Sequence, residues 1–490
     1  MIASGSAHGT EQLLAIVERF FVARGMSVNA AKSHVIRFAP APRTKTVKVL
    51  TGSSFSYGGN PLRNCSIAEV VKYLGLHFSP LGTPKAKGDG VIRDLEVIRG
   101  AALKPEQKLT LMRRFVIPAH MHSLRLSRTS DQVLKRLDGA LRRTARAILH
   151  LPPGTPTAFF CLKAADGGLG LPAIRDSVGM TRLKRIATLR ASQDGLVSSY
   201  ARSSSTLESE HRYWRRALDI GDASTRGLTA ERKARPERRA RQYRSTHIGG
   251  LFDARASGAG HPWLVTPRTL RGAEYVHAVH MVSESLPTRI NVTRGRDAQP
   301  GERNCRRCHR QAETQLHVLN ECVSTREAMI RRHNWVCNAV RDELRERDPT
   351  TQVLTEPRLS VRGREMRPDL VVIQGQKATV IDVAVTYDHR GQAIQTRYRD
   401  KIQKYEILRD VLPEFLARRH DTRVTEVSVD AIVVGSRGLL LPGCCQKPLS
   451  RLGIRERFAF TLQEGALRGS VAVWRAFLTA RMPPGPGRRA

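Results

Sequence analysis

The spacing of hydrophobic and polar positions changes several times along this chain, and each change marks an element. Leu13, Leu14, Val17, Phe20 and Phe21 recur at helical spacing, with Thr10 as the predicted N-cap and Gly25 as the stop. Two β-rich runs follow, the alternating Ser33 to Phe38 and then Val70 to Phe78, so residues 1–80 read as an α/β piece. From Leu103 to about His150 the period is helical. Leu134, Leu137, Leu141 and Ile148 share one face there, and Arg136, Arg142, Arg143 and Arg146 lie away from it. Residues 222–245 carry so many Arg and Lys, and so few large apolar side chains, that they read as a linker or a phosphate-binding arm without a core. A helical segment spans Arg326 to Arg347. After Pro357, strands at Leu370–Ile373, Thr379–Val385 and Val424–Val434 alternate with a helix from about Ala393 to Val411, which Pro413 should stop. The expectation is an α/β multidomain chain.

Composition sharpens this picture. At 490 residues, two to four domains are expected. Lys and Arg number 82 against 44 Asp and Glu, a formal charge of +38 that calls for a polyanion, so nucleic acid is the first expected partner. No stretch approaches the roughly 18–20 uncharged apolar residues of a membrane span. The first residues have neither the charged nor the apolar region of a secretory signal, so an intracellular chain with no membrane partner is expected.

Eight cysteines are too sparse for a disulfide scaffold. Cys65, Cys161 and Cys337 stand alone and read as small buried hydrophobes, and Cys444-Cys445 fit no ligand spacing. The cluster Cys305-x2-Cys308-x8-His317-x4-Cys322 is different. It offers three sulfurs and an imidazole, the set that tetrahedral Zn²⁺ prefers, and the two-residue gap lets both sulfurs of a knuckle face one ion. His317 and Cys322 can come from the start of a short helix. Four protein ligands leave no open position, so this Zn²⁺ is expected to be structural, with His309 as an alternative ligand.

The second constellation begins at Arg367-Pro368-Asp369. Two β runs flank a polar tip, and with Gly375-Gln376 at the centre of a type II′ turn, residues equally far from the tip pair across the ladder. Asp369 stands six residues before Gly375 and Asp382 six after Gln376. Their carboxylates should therefore face each other, with Cβ atoms roughly 4.5–5.5 Å apart. Like charges so close need a cation between them. Hard oxygen ligands on a rigid hairpin suit Mg²⁺ or Mn²⁺, which can activate water at a phosphate. Nucleases of this design also place a cationic side chain near the phosphate, in many of them a Lys two residues after the second acid. That position is Ala384 here, so Lys401 or Lys404, on one face of the next helix, must supply the charge, and Asp388 is a candidate third acid. The plainer alternative is a structural Asp369 satisfied by Arg367 or by a turn.

These motifs, with Arg332-His333-Asn334 between them and Asp400-Lys401-Ile402-Gln403-Lys404-Tyr405 after them, resemble the tail of site-specific non-LTR retrotransposon polyproteins. That family carries a restriction-like endonuclease, inserts mainly in ribosomal RNA gene arrays and copies itself by target-primed reverse transcription. Gly25-Met26-Ser27-Val28-Asn29-Ala30-Ala31-Lys32-Ser33 is similar to the motif that follows the catalytic aspartates of the polymerase palm, and Tyr73-Leu74-Gly75-Leu76 to the next palm motif. Leu151-Pro152, Thr155-Pro156-Thr157, the run Asp166 to Pro172, and Leu467-Arg468-Gly469-Ser470 with Trp474 extend the similarity.

The resemblance implies five segments: the end of a palm (1–80), a helical thumb and following segment (81–200), a basic linker (201–300), a CCHC zinc knuckle with its helix (301–345), and a restriction-like nuclease of PD-D/E-K type with a mixed sheet (346–490). By it, Asp369 and Asp382 hold the divalent metal, Lys401 is the catalytic lysine and Lys32 is the palm lysine that assists proton transfer. Lys404 and Tyr405 match the same motif with roles left open. The implied partners are target DNA and element RNA, and the implied location is the nucleus. Paired aspartates occur nowhere in the chain, so polymerase activity is not expected of it. The alternatives are a non-catalytic nucleic-acid-binding protein and a decayed element copy.

Overall fold

A computed structural model describes residues 2–41, 44, 46–52, 55–73, 75–80, 82, 88–244, 260–388 and 392–479. The chain divides into two compact units, Met1–Val91 with Pro118–Leu137, and Ile92–Ile117 with Asp138–Ala490, a coarser division than the five expected segments.

In the first unit the helix Ala7–Ala23 sets Leu14 and Val17 against Phe55, Tyr57 and Leu62. Ser6 caps it, accepting from the Gly9 N–H, while the hydroxyl of the expected cap Thr10 donates back to the Ser6 carbonyl. Gly25, at φ 64°, follows the helix end as expected. The second β-rich run is a hairpin, Val71–Tyr73 against Leu76–Phe78, turning through Gly75 at φ 78°; Leu74 of the palm-like motif lies outside the described residues. The helix Asp131–Leu149 buries Leu134, Leu137, Leu141 and Ile148, as its pattern requires.

The second unit corrects the expectation of a coreless basic linker. Thr225–Arg244 (α2) is a helix packed against Ile174–Arg190 (α1), with Leu228, Ala240 and Tyr243 buried. Asp176 receives ion pairs from Arg235 and Arg239, and Glu231 receives them from Arg235 and Arg238. Once acids match the charge locally, three apolar side chains are enough to dock the helix. Residues 245–259 of the expected linker lie outside the described residues.

Arg326–Arg347 (α3) leads into a four-stranded mixed sheet of Gln352–Thr355 (β1), Leu370–Gln374 (β2), Lys377–Thr386 (β3) and Glu426–Gly435 (β4), in the order β4-β3-β2-β1. β3 and β4 run parallel and the other pairs antiparallel. The parallel pair needs a crossover, which Gln392–Tyr405 (α4) and Leu408–His420 (α5) provide. Val371, Ile373 and Val380 pack on Tyr405, Leu408 and Leu412; Val372, Ile381 and Val383 pack instead with Val336 and Val340 of α3 and Leu462 of Ala459–Thr479 (α6). With helices on both faces, the strands read as continuous apolar runs.

Two glycines let α6 lie close to α3. A Cβ at Gly469 would come 2.4 Å from the Arg332 Cγ, and one at Gly465 only 1.8 Å from the Trp335 ring. Pro413 does not stop the expected helix. The break falls earlier, after Tyr405, and Pro413 sits within the first two turns of α5, where its missing N–H removes one helical hydrogen bond at most.

Candidate functional site

Of the two residues at the tip of the β2–β3 hairpin, Gly375 alone has a positive φ, 61°, as a type II′ turn asks, and Leu370 pairs with Ile381. Asp369, the residue just before β2, and Asp382 lie one step beyond this pair, near enough for the Asp369 charge to act on the Asp382 carboxyl. At Asp369 the ladder gives way to the side chain, whose Oδ2 accepts from the Val383 N–H at 2.6 Å. Its Oδ1 lies 3.1 Å from His333 Nε2 on α3. Asp382, 2% exposed, receives the Lys401 ammonium from α4. The crossover that makes β3 and β4 parallel thus also carries the lysine over the acids.

The two carboxyls are driven in opposite directions. Burial would raise Asp369, but the His333 ring, the Val383 N–H and the Lys401 charge together hold it below the ordinary carboxylate range. Burial and the facing Asp369 push Asp382 up, against the pull of Lys401. Tyr405 is raised by burial and then by both acids. Its hydroxyl donates to the Arg367 carbonyl at 2.9 Å, which anchors the chain just before Asp369. A buried and a half-buried carboxylate beside one lysine suit a hard divalent cation.

Other expected residues fall elsewhere. Lys404 turns from the acids to the Tyr405 hydroxyl at 2.8 Å, with its Nζ 4.4 Å from the ring centre. Asp388 does not join the pair as a third acid. Its carboxylate accepts from the Arg437 N–H at 3.0 Å, the Arg437 Nε at 3.2 Å and the Leu439 N–H at 2.8 Å, and so is already satisfied. Lys32 stands in the first unit, exposed, at the end of the 3-10 turn Ala30–Lys32. Two residues at the acids were not singled out for chemistry from the sequence, His333 and Cys337. Cys337, expected as inert filler, does lie in the core with Val336 and Val340, yet its Sγ is 3.5 Å from His333 Nε2. The signal available in the sequence was the four-residue spacing of His and Cys on one helix face.

The Cys/His cluster forms a second centre. The ligand atoms of Cys305, Cys308, His317 and Cys322 all lie within 4.8 Å of one another, and His309 is not among them. The knuckle closes through Cys305 N–H to the Gln311 carbonyl at 2.7 Å and His309 N–H to the Cys305 carbonyl at 2.9 Å. The His317 Nδ1 lies 3.0 Å from the Gln311 Oε1, which leaves Nε2, 3.2 Å from the Cys308 Sγ, free to bind metal. This Cys₃His set is compatible with zinc. His317 opens a short helical turn, His317–Glu321, and Cys322 follows it.

No protein-family model matches the chain. Among curated proteins it is similar to the Retrovirus-related Pol polyprotein from type-2 retrotransposable element R2DM of Drosophila melanogaster, 28% identical over 476 residues, covering 96% of this chain and 43% of that protein. The polyprotein from type-1 retrotransposable element R2 of Bradysia coprophila is 25% identical over 466 residues, 92% of this chain and 50% of that protein. That of Popillia japonica is 26% identical over 484 residues, 98% and 95%. The chain spans half or less of the first two and nearly all of the third. Among the described residues no helix is long and apolar enough to cross a membrane. With similarity running through both units, and with motifs that pointed the same way, the chain is a homologue of the Pol polyproteins of R2 retrotransposons, site-specific non-LTR elements.

Proposed function

We propose that residues 346–490 form a restriction-like endonuclease domain that hydrolyses DNA phosphodiesters with Mg²⁺ or Mn²⁺. The preceding segments would be the end of a reverse-transcriptase palm (1–80), a helical thumb and following segment (81–200), a basic segment (201–300) and a zinc knuckle with its helix (301–345). The observation that supports this most is the proximity of Asp369 to Asp382 with Lys401 delivered from the crossover helix. A strongly basic chain suits a DNA substrate.

A divalent ion held by Asp369 and Asp382 would supply a water of lowered pKa and balance charge on the phosphate. The side chains of the protein do the rest. His333 and the Val383 N–H hold Asp369 as an oriented anion. Lys401, turned from Asp382 toward the phosphate, orients the attacking water or offsets the developing negative charge. Tyr405 pins the Arg367 carbonyl and with it the entry to β2. The cut leaves a 3′ hydroxyl that primes copying of the element RNA, so target DNA and element RNA are the partners and the nucleus the place of action. Cys305, Cys308, His317 and Cys322 would hold a structural Zn²⁺, with no position open for catalysis.

Nicking of supercoiled plasmid tests this. Strand scission is expected with Mg²⁺, lost in EDTA and lowered about 10²–10³-fold in Asp382→Ala. Plasmid binding without nicking in the parent chain would instead favour a non-catalytic nucleic-acid-binding protein.

A further inference from the structure

His333 and Cys337 are four residues apart on α3, so their side chains leave one face of that helix a single turn apart. Asp369 stands opposite them. Its Oδ1 is 3.1 Å from His333 Nε2, that nitrogen is 3.5 Å from the Cys337 Sγ, and the ligand atoms of all three residues lie within 4.8 Å of one another. With zinc–ligand bonds of about 2.0–2.3 Å, a tetrahedral ion separates N from O by about 3.3 Å and N from S by about 3.6 Å. Two of the three separations are therefore already within a few tenths of an ångström of those around a bound metal, and the third is no more than 4.8 Å.

The donor set decides which metal. Sulfur and imidazole are soft or borderline ligands that Zn²⁺ and Co²⁺ prefer, whereas Mg²⁺ asks for oxygen. Asp369 belongs to both sets. It faces Asp382 across the hairpin and His333 with Cys337 across the helix packing, and its carboxylate cannot serve a soft ion on one side and a hard ion on the other at full strength.

We propose that His333, Cys337 and Asp369 form an inhibitory site for a soft divalent cation, Zn²⁺ foremost, which engages Asp369 and withdraws it from the acid pair. Binding releases the Cys337 thiol proton to solvent and involves no redox step. The inhibitory part rests on the nuclease reading of Asp369 and Asp382, and the binding part stands without it.

Two measurements on the full chain, as purified with its knuckle metal, separate these parts. Added Co²⁺ should give thiolate-to-cobalt absorption worth one more equivalent in the parent than in Cys337→Ala, with Cys337→Val as a second variant and circular dichroism to confirm that each is folded. Equal uptake in parent and folded variants overturns the site. In Mg²⁺ nicking, each protein normalised to its own zinc-free rate, half-inhibition of the Cys337 variants should need about 10–100-fold more Zn²⁺ than that of the parent. Equal zinc sensitivity overturns the inhibitory role. Absence of nicking in every protein defeats the nuclease reading and the inhibitory part with it, while cobalt uptake still decides whether the site exists.

Discussion

Asp382 and Asp388 lie six residues apart, are 2% and 0% exposed, and have opposite surroundings. Asp388 takes two backbone N–H groups and the guanidinium of Arg437, which also pairs with Glu284. Asp382 faces another carboxylate and one lysine. A buried charge that is fully paired belongs to the architecture. A buried charge left in conflict costs stability and persists where a ligand is to resolve it. The contrast separates a structural acid from a candidate metal ligand more sharply than either residue's place in a motif.

The comparison can be broken from several sides. The largest effect is expected from Asp382→Ala, which should lower plasmid nicking by about 10²–10³-fold while leaving the thermal midpoint no lower than the parent's, because a repelled carboxylate has been removed. A drop in stability instead would mean that Asp382 is as structural as Asp388. Asp388→Ala should do the reverse. It leaves the Arg437 guanidinium, 1% exposed, with Glu284 as its remaining acid, and should cost about 3 kcal/mol in urea unfolding. Below the new midpoint, nicking should continue. A cost under about 1 kcal/mol would show that the network is not what holds this corner.

His333→Gln tests whether Asp369 needs its outer partner. The Mg²⁺ concentration for half-maximal nicking should rise by about 10–100-fold, and an unchanged metal dependence would reduce His333 to packing. The smallest effect belongs to Tyr405→Phe, which removes one hydrogen bond to the Arg367 carbonyl and should cost about 1 kcal/mol of stability, with a modest change in nicking. A loss of nicking as large as that of Asp382→Ala would move Tyr405 from positioning the strand into the chemistry itself.

Much of this corner was legible in the residue order. The β2–β3 register follows from a Gly-first turn and the two-residue period of a strand, and it comes out as expected down to the Leu370–Ile381 pair. The close approach of Cys305, Cys308, His317 and Cys322 follows equally from short spacing. What was misread shares one feature. The docking of α2 depends on Asp176, which is distant in sequence from Arg235 and Arg239. Pro413 depends likewise on the chain break that precedes it, after Tyr405.

Covalent spacing alone therefore determined which acids face each other and which sulfurs gather, because a tight turn or a short knuckle leaves the chain little freedom to do otherwise. Tertiary packing decided which lysine reaches Asp382, which histidine holds Asp369, and that Asp388 answers to Arg437. Each of those contacts joins elements separated by loops or crossovers, and its geometry is set by how helices seat on the two faces of the sheet, which no local pattern encodes.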